Sequence, residues 1–331
     1  MEAKCQIKVS SSTLKIELFV ALFFCFFYSC SSQIETSTDS IPKNRPFLYV
    51  LGIAQDAGFP QAGQVKAWEQ IESGQKQIKF ATALALVDPV SKERYLFDAT
   101  PDFKRQLALL DQISSATQYP FNGIFLTHAH MGHYTGLMHL GREAMNSKEI
   151  PVYAMPRMYD FLSENGPWSQ LVALKNIHLV PIANRQEITL NERITIVPIL
   201  VPHRDEFTET VGFVIRTTGQ SALFIPDIDK WSKWEEKIVD QIKQVDYAFL
   251  DATFYDASEL KGRSMEEIPH PLVVESMDLF DTLPLSEKSK IHFIHLNNSN
   301  PLLWNDSEEY QHVLERGFKV AYKGQIIPLK P

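Results

Sequence analysis

The most constraining feature of this chain of 331 residues is the segment His128-Ala129-His130-Met131-Gly132-His133, which follows an apolar run at residues 123–126. The run predicts a buried strand, so the histidines fall at a strand end that faces a cleft. Neutral imidazole is a common ligand of zinc and iron. His128 and His130 can hold one ion from one side of the chain, and His133 can reach a neighbouring ion. Three unrelated surface histidines are the alternative, which the apolar run disfavours.

Further polar residues stand at the ends of other predicted strands, where a site would be assembled. His203, Asp227, Asp251 and His295 each follow directly on an apolar run. Side chains alternate along a strand, so His292 and His295 face opposite ways. We therefore expect His295, at the strand tip, to point into the site and His292 to point away from it.

The order of predicted elements indicates the architecture. Strands and helices interleave in both halves of the body, which predicts an α/β fold with two sheets and helices on their outer faces. This is a four-layer αββα sandwich. The predicted helices include residues 103–110, 134–144, 231–242 and 271–279. No linker interrupts residues 46–331, so the body is expected to be one domain.

The amino-acid composition limits which partners and which metal ligands the protein can use. The hydrophobic content of 44% allows a substantial core, and the net charge of −8 gives no general attraction to nucleic acid. All three cysteines lie within the first 30 residues, at Cys5, Cys25 and Cys30. The body therefore has no disulfides and no thiolate ligands, and any metal must be held by His, Asp and Glu.

The first 30 residues differ from the body. Lys4, Lys8 and Lys15 precede an apolar run at residues 18–28, and Ser29 and Cys30 follow this run. This order predicts an export signal over residues 1–30, and Cys30 resembles the lipidated cysteine of bacterial lipoproteins. We expect residues 31–45 to form a flexible tether and the protein to be exported to the cell envelope and held at a membrane by a lipid on Cys30. An uncleaved anchor is the alternative.

Taken together, these motifs resemble the metallo-β-lactamase superfamily, whose signature is H-x-H-x-D-H followed by a distant His, an Asp and a final His. Within it the chain is most similar to the PQQ-biosynthesis protein B group, through residues 51–61, 98–102, 226–231 and 295–301. The resemblance implies the αββα sandwich of that superfamily. It also implies a set of metal ligands, namely His128, His130, His133, His203, Asp227 and His295.

Gly132 departs from the signature, which has an aspartate there that binds a second metal ion. The resemblance therefore implies one tight site, made by His128, His130 and His203 with Asp227, and a weaker second site. Three histidines with an open position are typical of catalytic zinc. Zinc is the expected ion, and iron and manganese remain open.

Three residues are candidates for catalysis. Asp227 is expected to bridge the ions or orient a water molecule. His270 stands where ribonuclease Z-like relatives place an accessory histidine, and Asp251 ends a predicted strand. A loop role for His270 and a turn-capping role for Asp251 remain alternatives. The other histidines, His139, His178, His292 and His312, are expected to be core or surface residues.

Three functions follow from these patterns. The first is a metal-dependent hydrolase that acts on a phosphodiester or other ester-like small molecule. The second is an oxidative enzyme of the kind implied by the PQQ-biosynthesis protein B group. The third is a non-catalytic binding protein on the same scaffold, because fold alone does not set function. The sequence leaves the substrate and the oligomeric state open.

Overall fold

The computed structural model describes residues 41–260, 262 and 268–330. Fourteen strands lie in this part of the chain: β1 Phe47–Gly52, β2 Ala83–Asp88, β3 Glu93–Phe97, β4 Phe121–Phe125, β5 Ile150–Ala154, β6 Ile177–Pro181, β7 Ile188–Asn191, β8 Ile194–Leu200, β9 Val211–Thr217, β10 Ser221–Ile225, β11 Tyr247–Asp251, β12 Ile291–Ile294, β13 Lys319–Val320 and β14 Ile326–Pro328. They form two seven-stranded sheets, in the orders β14-β1-β2-β3-β4-β5-β6 and β13-β12-β11-β10-β9-β8-β7.

The helices connect these strands. The α-helices are α1 Val65–Glu72, α2 Phe103–Ile113, α3 Met131–Tyr134, α4 Pro156–Glu164, α5 Trp168–Ala173, α6 Ile238–Lys243, α7 Val273–Leu279, α8 Leu285–Lys288 and α9 Glu308–Glu315. Short 3-10 helices span Thr135–Leu140, Trp231–Lys233, Ala257–Glu259 and Pro301–Leu303. The α/β class and the two-sheet arrangement predicted from the sequence are confirmed.

The core has two layers because alternate side chains of a strand point to opposite faces. Leu48 and Phe97 of the first sheet pack toward the second sheet, where the Phe97 ring lies 5.5 Å from that of Phe213. Phe47, from the other face of β1, packs in a separate cluster that contains Phe103 of α2. All six residues of β1 are buried, as expected for a strand that is covered on both faces.

Strand direction brings the candidate site residues together. Strands β10, β11 and β12 are mutually parallel, and so are β3, β4 and β5. The carboxyl ends of parallel strands meet at one edge of a sheet, where α/β proteins commonly bind ligands. The segments that follow β4, β10, β11 and β12 therefore supply the site.

Two predicted helices differ in the structure. Residues 134–144 are not one helix: α3 is followed by the 3-10 helix Thr135–Leu140, because Gly136 packs directly on the backbone of Thr100. Residues 231–242 divide into a 3-10 turn and α6. Trp234 between them is extended, and its indole nitrogen donates to the carbonyl of Leu200 at 3.0 Å.

The prediction of a lipoprotein held at a membrane is corrected. Within the residues that the structure describes, none of the helices combines the length and the apolar character that a bilayer-spanning segment requires. The apolar run at residues 18–28, Cys30 and residues 31–40 of the predicted tether lie outside the described residues.

Candidate metal centre

Four of the predicted ligands converge into a first donor group. One atom each of His128, His130, His203 and Asp227 lies within 4.8 Å of all the others. The Nε2 atoms of His128 and His203 are each 3.3 Å from the Asp227 carboxylate, on different oxygens. His130 faces the group with Nδ1, which is 2.8 Å from Nε2 of His128. Three imidazoles and one carboxylate form a donor set suited to zinc.

A second donor group adjoins the first. It contains His133, His295 and Asp56, with donor atoms again within 4.8 Å of one another. Nε2 of His133 is 3.3 Å from Nε2 of His295 and 3.8 Å from Oδ1 of Asp56. Oδ2 of Asp227 is 3.8 Å from Nε2 of His133, so this carboxylate lies between the two groups. The six residues predicted to bind metal are thus brought together.

Several of these histidines are held by hydrogen bonds at their other ring nitrogen. Nδ1 of His128 is 2.9 Å from Oγ1 of Thr127, and Nδ1 of His295 is 2.9 Å from Oγ1 of Thr253. Nδ1 of His133 is 2.7 Å from the carboxylate of Asp98. Metal-binding histidines characteristically have such outer partners, which fix the ring and its tautomer. The arrangement leaves Nε2 of each ring directed into the centre.

The backbone is strained where two of these residues leave their strands. Asp98, directly after β3, has φ +69°, and His295, directly after β12, has φ +68°. This left-handed conformation is uncommon for residues other than glycine and costs of order 1 kcal/mol or more. Asp98 accepts hydrogen bonds from both the backbone and the hydroxyl of Thr127, which holds the turn in place.

The electrostatics of the centre suit ligands that bind in their deprotonated forms. Burial lowers the pKa of His128 and of His295 well below the usual range, so both are neutral near pH 7. Burial raises the pKa of Asp227, but His203 and His270 outweigh this and hold it well below its ordinary value. Asp227 is therefore ionised.

His133 has a different electrostatic environment. Burial lowers the pKa of His133, yet the nearby carboxylates, Asp98 foremost, raise it to about 9. Asp98 thus favours positive charge on or beside this ring. A metal ion at Nε2 satisfies that preference as well as a proton would.

His203 provides a test of whether a metal ion fits this centre. Its side chain is fully buried, and both ring nitrogens lack a hydrogen-bond partner among the described residues. A buried polar group left without a partner costs roughly 1–3 kcal/mol. An ion shared with His128, His130 and Asp227 gives Nε2 of His203 a partner, so the residues fit a metal.

The three candidate catalytic residues are in contact: Asp227 belongs to the first donor group, and His270 and Asp251 lie beside it. Nδ1 of His270 is 2.9 Å from Oδ2 of Asp251 and 3.1 Å from Oδ1 of Asp227. Burial lowers the pKa of His270, but Asp251 and Asp227 raise it to about 10. Asp251 also accepts from the backbone amides of Ile228 and Thr253. Asp251 therefore caps this turn and also contacts His270, and its role in catalysis stays a prediction.

Sequence reasoning missed two carboxylates of this centre. Asp98 is the first residue after β3, and Asp227 is the second after β10, so strand-end position alone could have identified Asp98. Asp56 lies in the loop after β1, and no local pattern marks it. Both residues fall in segments that carry the resemblance to the PQQ-biosynthesis protein B group.

The remaining histidines lie elsewhere, as predicted. The ring of His139 is half-buried and stacks on Phe103 at 5.9 Å. His178 and His312 are exposed. His292 is buried against Phe249, with its Nδ1 3.2 Å from the amide nitrogen of Gln325.

Replacing Asp98 by asparagine should weaken the second donor group, because Asp98 orients His133. We expect the affinity for the ion at His133 to fall about 10- to 100-fold, with the ion at His203 retained. Competition with a chromogenic zinc chelator measures both affinities. Equal loss at both positions would indicate a general structural defect and would contradict the orienting role.

Comparison with known proteins agrees with this fold. The family described as "Beta-lactamase superfamily domain" matches residues 93–293, which is more than half of the chain. The chain therefore belongs to the β-lactamase superfamily.

Among curated proteins, the chain is similar to coenzyme PQQ synthesis protein B. It is 28% identical to that protein from Klebsiella pneumoniae, over 86% of this chain and 98% of the relative. Identity to the corresponding protein of Methylobacillus flagellatus is 27%, over 85% and 99% of the two chains.

Solved structures show the same fold at lower identity. Zinc-bound PqqB from Methylobacterium extorquens superposes with a TM-score of 0.71 at 20% identity, over 86% of this chain and all of that one. A diphosphatase of the PhnP family gives a TM-score of 0.59 at 20% identity, over 86% and 97%. The short form of human tRNase Z gives 0.56 at 17% identity, over 86% and 100%.

Proposed function

We propose that the protein is a metal-dependent hydrolase acting on a phosphodiester or a related ester. The observation that carries the proposal is the position of Asp227 between the two donor groups, with His270 beside it. Ions bound there would supply Lewis acidity and lower the pKa of water toward neutrality. Hydrolases such as the diphosphatase and tRNase Z share this fold, which supports the choice.

The residues at the mouth of the centre support an anionic substrate. Arg204 is about half exposed, and its guanidinium is 3.5 Å from Nδ1 of His130. Its partner Glu206 is 3.8 Å away, which leaves the guanidinium able to bind a phosphoryl oxygen. Arg204 would then bind and orient the substrate while Asp227 holds the ions.

His270 has the properties of a proton donor to the leaving group. It is held between two carboxylates that keep it protonated. General acid catalysis contributes about 10²- to 10⁴-fold, and it matters most when the leaving group is a poor one. In this scheme Asp251 positions the ring of His270, and Asp227 favours its positive charge.

We predict that His270→Gln lowers the rate roughly 100-fold on an alkyl phosphodiester and much less on a p-nitrophenyl ester, whose leaving group needs no proton. The measurement is kcat for both substrates with zinc content determined on the same samples. Equal losses on both substrates at full zinc content would contradict the proton-donor role.

A substrate panel tests the hydrolase itself. Purified protein with determined metal content is assayed on phosphodiester, phosphomonoester, lactone and β-lactam substrates. Turnover of the diester that is abolished by a chelator and restored by zinc is the expected result. Lack of turnover across the panel with full metal content would shift the assignment to a binding protein.

The second candidate function follows from the relatives named coenzyme PQQ synthesis protein B, which align over 98% of their length. The resemblance implies metal-dependent oxidative chemistry on the same scaffold. An iron-loaded sample that consumes oxygen with a peptide-derived precursor, and hydrolyses no ester in the panel, would favour this function.

A further inference from the structure

Position 132 holds glycine where the superfamily signature has aspartate, and the structure shows what occupies the space. A Cβ atom built on Gly132 would lie 2.4 Å from Cα of Asp56 and 2.6 Å from its Oδ1. Real Cβ atoms do not approach other atoms so closely. The volume next to Gly132, where an aspartate side chain would begin, is therefore filled by Asp56.

Asp56 directs its carboxylate at the second donor group from a different loop. Oδ1 lies 3.8 Å from Nε2 of His133 and within ligand range of His295. The loop is attached to the segment that carries His295, since the amide of Gln55 donates to the carbonyl of Leu296 at 2.8 Å. This connection fixes the position of Asp56 relative to both histidines.

The backbone of Asp56 supports a functional role for its side chain. Its φ of +42° is in the left-handed region, which favours glycine and is strained for most L-residues. Strained residues of this kind cluster at ligand sites. Among the described residues, the carboxylate of Asp56 faces Nε2 of His133 at 3.8 Å.

We propose that Asp56 supplies the anionic ligand of the second metal site, in place of the aspartate that the superfamily carries at position 132. This inference rests on the proposed function only through the shared metal centre. It changes the expectation drawn from Gly132: the second site keeps its carboxylate, but that carboxylate is now 42% exposed and comes from the loop after β1.

Zinc binding to Asp56→Asn tests the proposal directly. Asparagine has nearly the same shape and tolerates positive φ, but it lacks the charge. We expect affinity for the second ion to fall at least about tenfold, with the first ion unchanged. Asp240→Asn is the matched control, because it removes one exposed carboxylate on α6 and should change neither affinity. Unchanged binding of the second ion by Asp56→Asn would overturn the proposal.

Gly132→Asp provides the reciprocal test. Because Asp56 fills the space, this variant should bind the second ion no more tightly than the parent protein, and a gain in affinity would overturn the proposal. If circular dichroism shows that Asp56→Asn is unfolded, Asp56→Gly is tested instead, because glycine adopts a φ of +42° without strain. Zinc binding requires no substrate, so this test of the second metal site remains valid if the hydrolase proposal fails.

Discussion

His203→Ala is expected to lose the tighter metal ion and to reduce turnover by about 100-fold or more, while the fold is retained. His203 stands after the end of β8, so its removal leaves the apolar strand intact. The side chain that is removed contributes a fully buried ligand to the first donor group. The measurements are metal content, rate on the ester that the panel identifies, and circular dichroism, all on the same sample.

Asp227→Asn should separate metal binding from rate. Asparagine retains one oxygen for coordination but loses the charge that lies between the two donor groups. We therefore expect partial metal content with most of the rate lost.

His178→Ala and His312→Ala are the controls for both variants, since both side chains are exposed, and both should remain near parent activity. Full activity in His203→Ala would end the metal-hydrolase assignment.

A second large effect is expected for stability in acid, and it concerns His292. Burial, with a smaller contribution from Lys319, lowers the pKa of His292 to about 3 from an ordinary 6.5. The unfolded chain takes up a proton below pH 6.5 and the folded chain does not, so stability is lost as the pH falls from about 6.5 toward 3. At about 1.4 kcal/mol per pH unit, roughly 2 kcal/mol is lost by about pH 5.

His292→Leu should remove this part of the acid sensitivity. Urea unfolding of parent and variant at about pH 7 and about pH 5, with a chelator in every sample, measures the free energy of unfolding without a contribution from metal. The parent should lose about 2 kcal/mol more than the variant over this interval. The exposed His178→Leu is the matched control. If the free energy of unfolding of parent and His292→Leu depends equally on pH, His292 takes up its proton as readily in the folded protein as in the unfolded chain.

The sequence predicted the residues at strand ends well because their position depends on local patterns. Apolar runs identified the strands before His203, Asp227, Asp251 and His295, and a polar residue after such a run must leave the sheet at its edge. The same reasoning placed His292 on the opposite side from His295. These predictions needed no knowledge of distant contacts.

The features that the sequence did not reveal depend on contacts between distant segments. The contact of Asp56 with Gly132 joins the loops that follow β1 and β4, which are distant in sequence, and no periodicity encodes it. The break near Trp234 has a similar origin. Its indole donates to the carbonyl of Leu200, and this tertiary contact overrides the helical pattern of residues 231–242.

The metal donors come from both sheets. Asp56 and the histidines of the H-x-H-x-x-H segment follow strands of the first sheet, whereas His203, Asp227 and His295 follow strands of the second. Bound ions would therefore cross-link the two halves of the polypeptide, in the way that a disulfide bond cross-links other proteins. Once the free metal concentration exceeds the dissociation constant, each further tenfold increase in that concentration would add about 1.4 kcal/mol per ion to the free energy of unfolding of the domain. The metal supply would therefore set the stability of the folded domain.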